Sequence, residues 1–157
     1  MACVILMRAD QVSQGLIDTN IVILRRWIDP SRLPDEMAIT SITLAELSAG
    51  PHEVRPERYR HPEEAAIERA ERTELLQRAE YEFDPIPFDA QAARIYGRVA
   101  AAVVAVGRKP RGRALDLMIA SIAIAEGLAL YTTNPADFAG LERLLTLVPV
   151  PRPAAAP

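Results

Sequence analysis

The chain has 157 residues, half of them hydrophobic and a quarter charged, which is one globular domain's worth of sequence with enough apolar material for a core. A net charge of −3 leaves no global basic field, so any nucleic-acid contact must come from a local patch. Cys3 is the only cysteine, which excludes an intrachain disulfide and argues against a thiolate metal site, and the apolar run Ala2–Met7 is too short to span a bilayer and lacks the flanks of a signal peptide. The expected location is cytoplasmic. Residues 1–13 read as an N-terminal extension, 14–150 as the domain, and the Pro/Ala stretch 151–157 as a disordered tail.

In chain order, Gly15-Leu16-Ile17-Asp18 reads as a buried strand that ends on an aspartate, followed by Thr19-Asn20 and the apolar run Ile21–Leu24. Asn20 is a suitable N-cap for a helix beginning at Ile21 and closing at Pro30, although Asp18 could serve as the cap instead. Met37–Thr40 is a second short strand. Ser41 is placed to cap a helix from Ile42 to Ala49 that Gly50-Pro51 stops. Glu46 lies in that helix among Ile42, Leu44, Ala45 and Leu47, an apolar setting in which a carboxylate needs a reason.

Residues 51–62 turn charged and loop-like, with His52 and His61 read as surface residues that share no metal-ligand spacing. A long helix is expected over Glu63–Phe83, with a narrow contact stripe of Ala66, Ala70, Thr73, Leu76 and Phe83. Glu68–Arg72 and Glu74–Arg78 are spaced for i,i+4 pairing on its solvated face. Asp84–Phe88 is a short strand or turn, and Asp89 caps a helix to Val106, with Ala92, Ile95 or Tyr96, Val99 and Val103 facing the core. Arg108, Lys109, Arg111 and Arg113 then put four cations into seven residues, immediately before Asp116.

The helix Ala114–Glu126 is apolar apart from Asp116 near its start, and Gly127 stops it; Asp116, Ala120 and Ala123 share a face. Leu128–Thr132 is the next strand, Asn134-Pro135 opens a helical turn that contains Asp137, and Leu144–Val148 is the last strand. Strands alternating with helices predict an α/β fold: a short parallel central sheet flanked by helices in three Rossmann-like layers, with a projecting charged helical region.

Asp18, Glu46, Asp116 and Asp137 each fall near an element end that such a fold gathers at one sheet edge. Four uncompensated carboxylates would repel one another and raise each other's pKa. A hard divalent cation, Mg²⁺ or Mn²⁺, resolves that conflict. The chemistry indicated is phosphodiester hydrolysis with one ion or a pair about 4 Å apart. Arg108, Lys109, Arg111 and Arg113 would supply sequence-independent contacts to a nucleic-acid backbone.

Four segments resemble the signature segments of PIN-domain ribonucleases, and in particular the toxin half of VapBC toxin–antitoxin pairs. They are Leu16-Ile17-Asp18-Thr19-Asn20, Thr43-Leu44-Ala45-Glu46-Leu47, Asp116-Leu117-Met118-Ile119-Ala120 and Thr132-Thr133-Asn134-Pro135-Ala136-Asp137-Phe138. The resemblance implies a PIN-like fold and an acidic site at Asp18, Glu46, Asp116 and Asp137, with Thr133 or Asn134 as polar auxiliary. It further implies a Mg²⁺-dependent endoribonuclease acting on RNA, usually a homodimer. Such an enzyme is held inactive by a small antitoxin that inserts an Arg or Lys among the acids. The charged 51–83 region is longer than a minimal member needs. Two other classes compete: a non-catalytic RNA- or protein-binding module on the same fold, and a phosphoryl-transfer domain. Asp18 lacks the neighbouring acid, and the chain the later lysine, that phosphoryl transfer would require.

Overall fold

Gln14–Ile17 (β1), Glu36–Ala38 (β2), Ala129–Thr132 (β3) and Leu147–Pro149 (β4) form one sheet in the order β2-β1-β3-β4, every pair parallel. Five helices connect them: Thr19–Leu24 (α1), Ser41–Ala49 (α2), Pro62–Glu82 (α3), Ala90–Ala105 (α4) and Ala114–Glu126 (α5). The computed structural model describes residues 13–154. The apolar run Ala2–Met7, Cys3 and most of the expected extension therefore lie outside the described residues, as do the last three residues of the expected tail. Ser13 belongs to the fold: its N–H and hydroxyl donate to Asp35 at 2.9 and 2.8 Å.

The sheet is buried on both faces, which is why its strands are short apolar runs with little alternation. Leu16 and Leu130 point to one side, into a core with Val99 and Val103 of α4 and Leu117, Ile119 and Ile122 of α5. Ile17 points to the other side, where Ile21, Val22 and Leu24 of α1, Leu47 of α2 and Ala79 of α3 pack. Fully burying each Leu or Ile stabilises the fold by about 1.5–3 kcal/mol. Gly15 is required by close approach: a Cβ there would collide with the Tyr131 ring on the neighbouring strand and touch Pro34 at 3.0 Å. Gly127 ends α5 in the left-handed region (φ 67°), its N–H donating to the carbonyls of Ala123 and Ile124.

Several element ends differ from expectation. Of the two caps left open for α1, Asp18 and not Asn20 serves, and the helix is shorter than expected, passing into a 3-10 turn at Arg25–Trp27 well before Pro30. Thr40, not Ser41, caps α2, and its hydroxyl accepts the Thr43 N–H at 3.0 Å. The Ser41 hydroxyl instead accepts the Phe88 N–H at 3.2 Å, tying the 84–88 segment to the sheet edge, where Thr40 and Ile86 form an isolated parallel bridge. Leu144 precedes the last strand, which starts at Leu147. Asn134 opens only a 3-10 turn, Pro135–Phe138, and does not cap it with its side chain.

The contact stripe of α3 holds at Leu76 and Phe83 and is rotated at its start. Ala66 and Ala70 are exposed, while Ala65 and Ala79 are buried and Leu75, Leu76 and Phe83 pack against the core. One residue on a helix is about 100° of rotation, enough to exchange faces. Arginines set the register: Arg72 donates to the Gly50 carbonyl at 3.0 Å and to Glu68, and Arg69 donates to Pro51 at 3.3 Å. Arg72 thereby satisfies a carbonyl left free at the end of α2. Among the described residues no helix is long and apolar enough to cross a membrane.

Candidate active site

The sheet order makes β1 and β3 neighbours, although the chain leaves β1 for β2 on the other side. That reversal opens a crevice beyond the carboxyl ends of the strands. Asp18 follows β1 directly and sits in this crevice, 5% exposed. Its backbone N–H donates to Tyr131 O at 3.1 Å, which fixes it against β3. One carboxylate oxygen accepts the Ile21 N–H at 2.8 Å, the capping bond of α1, and the other accepts the hydroxyl of Thr132 at the end of β3. Burial pushes the Asp18 carboxyl upward in pKa, the bonds from Thr132 and Ile21 pull it back, and the charges of Asp116 and Glu46 push it up again.

Glu46, from the second turn of α2, and Asp116, from the first turn of α5, join Asp18 in lining a cleft of about 390 Å³. Both are half-buried. Burial raises the Glu46 carboxyl, with the Thr19 hydroxyl bonded to it opposing and Asp116 and Glu53 adding to the rise. Burial raises Asp116 as well, with the Arg113 guanidinium opposing. Thr19 lies within 3.4 Å of Thr43 Oγ1, which in turn meets Thr40 Oγ1 at 3.1 Å, so a row of hydroxyls backs the acids. Glu53, Glu68 and Arg72 complete the outer wall.

Asp137 is not on the wall of this cleft. It forms an ion pair with Arg113 and accepts the Asn134 side-chain amide. Thr133 is half-buried, and the hydroxyl that touches Asp18 belongs to Thr132, one position earlier. Thr19 and Thr132 are thus the site residues that sequence reasoning missed. Each is the residue next to, or in register with, the strand-end aspartate, and that position was the available signal. Of the basic segment, Arg108 donates to the Ala136 carbonyl at 2.6 Å and Arg113 holds Asp137, while Lys109 and Arg111 are exposed. His52 and His61 are exposed, as expected.

A hard divalent cation suits this donor set. Asp18, Glu46 and Asp116 offer only oxygen, and each carries a penalty for being charged that a dication would relieve. Among the described residues no three acids already stand as a finished cage, so binding requires side-chain adjustment.

The PIN domain pattern matches residues 16–144. Ribonuclease VapC5 of Mycobacterium tuberculosis is 32% identical over 131 residues, 82% of this chain and 87% of that protein. The crystal structure of VapBC-5, a member of the VapBC family of toxin–antitoxin systems from M. tuberculosis, superposes with a TM-score of 0.70 at 28% identity. It covers 88% of this chain and 98% of that one. VapBC2 of Rickettsia felis, solved bound to a DNA fragment from its promoter, gives 0.59 at 25% identity, over 85% and 96%. With its parallel sheet, its crevice acids and these relatives, the chain belongs to the PIN-domain family, of the VapC type.

Proposed function

We propose that this protein is a metal-dependent endoribonuclease, the toxin of a toxin–antitoxin pair, hydrolysing RNA phosphodiester bonds in the cytoplasm as a homodimer. The observation that carries the reading is the convergence of Asp18, Glu46 and Asp116 on one crevice, each with its carboxyl raised by burial. Asp18, Glu46 and Asp116 would hold Mg²⁺ or Mn²⁺, with Asp137 as the fourth acid of the set. When bound, the ion lowers the pKa of water and neutralises charge on the phosphate.

The protein's own groups do the rest. Thr132 and the Ile21 N–H hold the Asp18 carboxylate in a fixed orientation, and Thr19 does the same for Glu46. Apolar packing behind Asp18 keeps bulk water from the inner wall. Lys109 and Arg111, exposed at the approach to Asp116, offer phosphate contacts. The antitoxin would place an Arg or Lys among the acids. Its remaining length would lie in the neighbouring groove of about 440 Å³ between α1 and α3, where Leu24, Trp27, Leu75 and Phe83 supply apolar wall. That groove and the acid cleft share Asn20, Ile23, Glu68, Arg72 and Leu75, so a single extended segment can occupy both.

Incubating RNA with the purified chain tests the enzymatic reading. Cleavage should need Mg²⁺ or Mn²⁺ and vanish with Asp18→Asn. Undiminished cleavage by that variant, or in excess EDTA, would overturn it.

A further inference from the structure

The basic segment between α4 and α5 is not a free solvated loop. Arg108 donates to the carbonyl of Ala136, and Arg113 pairs with Asp137. The two bonds staple segment 108–113 to the turn Pro135–Phe138 that follows β3. Arg113 stands one turn before Asp116, and its positive charge reaches that carboxylate too. The second oxygen of Asp137 takes the Asn134 amide, so both of its oxygens already have partners. The four acids therefore divide into three that face the crevice and one that already carries a counter-charge.

We propose that Arg113 is a built-in counter-ion that competes with a divalent cation for Asp137, and that it turns to an RNA phosphate once Asp137 turns to the cation. The inference rests on the metal-dependent ribonuclease reading and assigns a positioning residue within it. Guanidinium suits both roles, because its planar fork matches a carboxylate and a phosphate equally well. The pair is partly exposed, at 33% and 20% of the two side chains, so water and an incoming phosphate can reach both partners. The competition is reciprocal: if the cation loosens the pair, removing Arg113 must tighten the cation. A purely structural ion pair would give the opposite sign, since its loss would loosen the site.

The test is calorimetric titration of Mn²⁺ into the full chain without RNA. Arg113→Gln should bind Mn²⁺ about tenfold more tightly than the native chain, a coupling of ordinary size. The gain should shrink in the double variant Arg113→Gln/Asp137→Asn, leaving only the part that Arg113 exerts through Asp116; an undiminished gain overturns the inference. At saturating Mn²⁺ the same Arg113→Gln protein should cleave RNA more slowly, and Arg113→Lys should recover part of the rate. Unchanged or weaker Mn²⁺ binding by folded Arg113→Gln overturns the inference while leaving the metal reading standing. A native chain that binds no Mn²⁺ overturns both. Should Arg113→Gln fail to fold, Asp137→Asn and Asp116→Asn decide the matter. A neutralised Asp137 predicts the smaller loss of Mn²⁺ affinity for Asp137→Asn, and equal losses refute it.

Discussion

The Thr132 hydroxyl donates to Asp18 across 114 positions of sequence, joining the ends of the two central strands. Replacing it with Val keeps the shape and leaves one oxygen of a buried carboxylate without its donor. Thr132→Val should cost about 1–3 kcal/mol in urea unfolding. Mn²⁺ affinity should fall with it, because the carboxyl is then pushed further up and its orientation loosened. Native-like stability together with native Mn²⁺ affinity would show the bond to be incidental.

Asp18 carries two roles, cap and acid, and two substitutions separate them. Asn caps helices as well as Asp does, so Asp18→Asn should keep α1, abolish cleavage and leave the metal-free chain as stable as native or more so. Asp18→Ala loses the cap too, and should melt lower than Asp18→Asn by the equivalent of about 1 kcal/mol. Equal melting temperatures for the two variants would contradict the capping role.

The pH dependence should run against habit. Asp18, Glu46 and Asp116 all have carboxyls raised on folding. Such a group contributes stability that is fully present below its unfolded pKa, and that stability is lost as pH rises through the higher folded value. The metal-free chain should therefore melt higher as pH falls toward the ordinary carboxylate range. Asp29, Asp35 and Glu142 are lowered and act in the opposite direction, but only at more acidic pH. Mg²⁺ should reduce that slope. A melting series in EDTA that falls on mild acidification would contradict this.

Within the basic segment the four cations should no longer behave alike. Lys109→Ala/Arg111→Ala should leave stability unchanged, weaken RNA binding and reduce the salt slope by about 1–2. Arg108→Ala removes a bond to the Pro135–Phe138 turn and should lower stability as well. Filter binding at several salt concentrations, read beside melting curves, distinguishes the two classes.

Inhibition by the antitoxin should weaken as Mg²⁺ is raised, because its cation and the metal would seek the same carboxylates. Arg→Ala changes in its C-terminal segment should relieve inhibition in a cleavage assay. Block that persists at saturating Mg²⁺ and survives those changes places the inhibitor elsewhere.

How much of this was legible in the sequence varies with the physics involved. The first three strands, the apolar helix Ala114–Glu126 and its Gly127 stop are local patterns, and they appear within two residues of where the pattern puts them, whereas the last strand begins only at Leu147. Asp18 ends a strand and Asp116 opens a helix, ends that a parallel sheet gathers, and Glu46 stood out as the one carboxylate of an apolar helix. Asp137 shares that address, yet its ion pair with Arg113 is a through-space contact that no spacing rule encodes. Thr132 and Thr19 carried no signal beyond their position beside the strand-end aspartate, since threonine is common in strands and at helix starts. The rotated face of α3 reflects a composition in which alanines mark both sides of the helix. There the choice falls to Arg69 and Arg72, which reach carbonyls on a different element.

The bond between β1 and β3 also sets a clock. A chain emerging from the ribosome delivers Asp18 early, but the strand that carries its partner follows 114 positions later. At ordinary elongation rates of 5–20 residues per second that interval is roughly 6–23 s. Until it has passed, the crevice has one wall and Asp18 lacks its donor. The nascent polypeptide is thus latent by topology until β3 has followed β1.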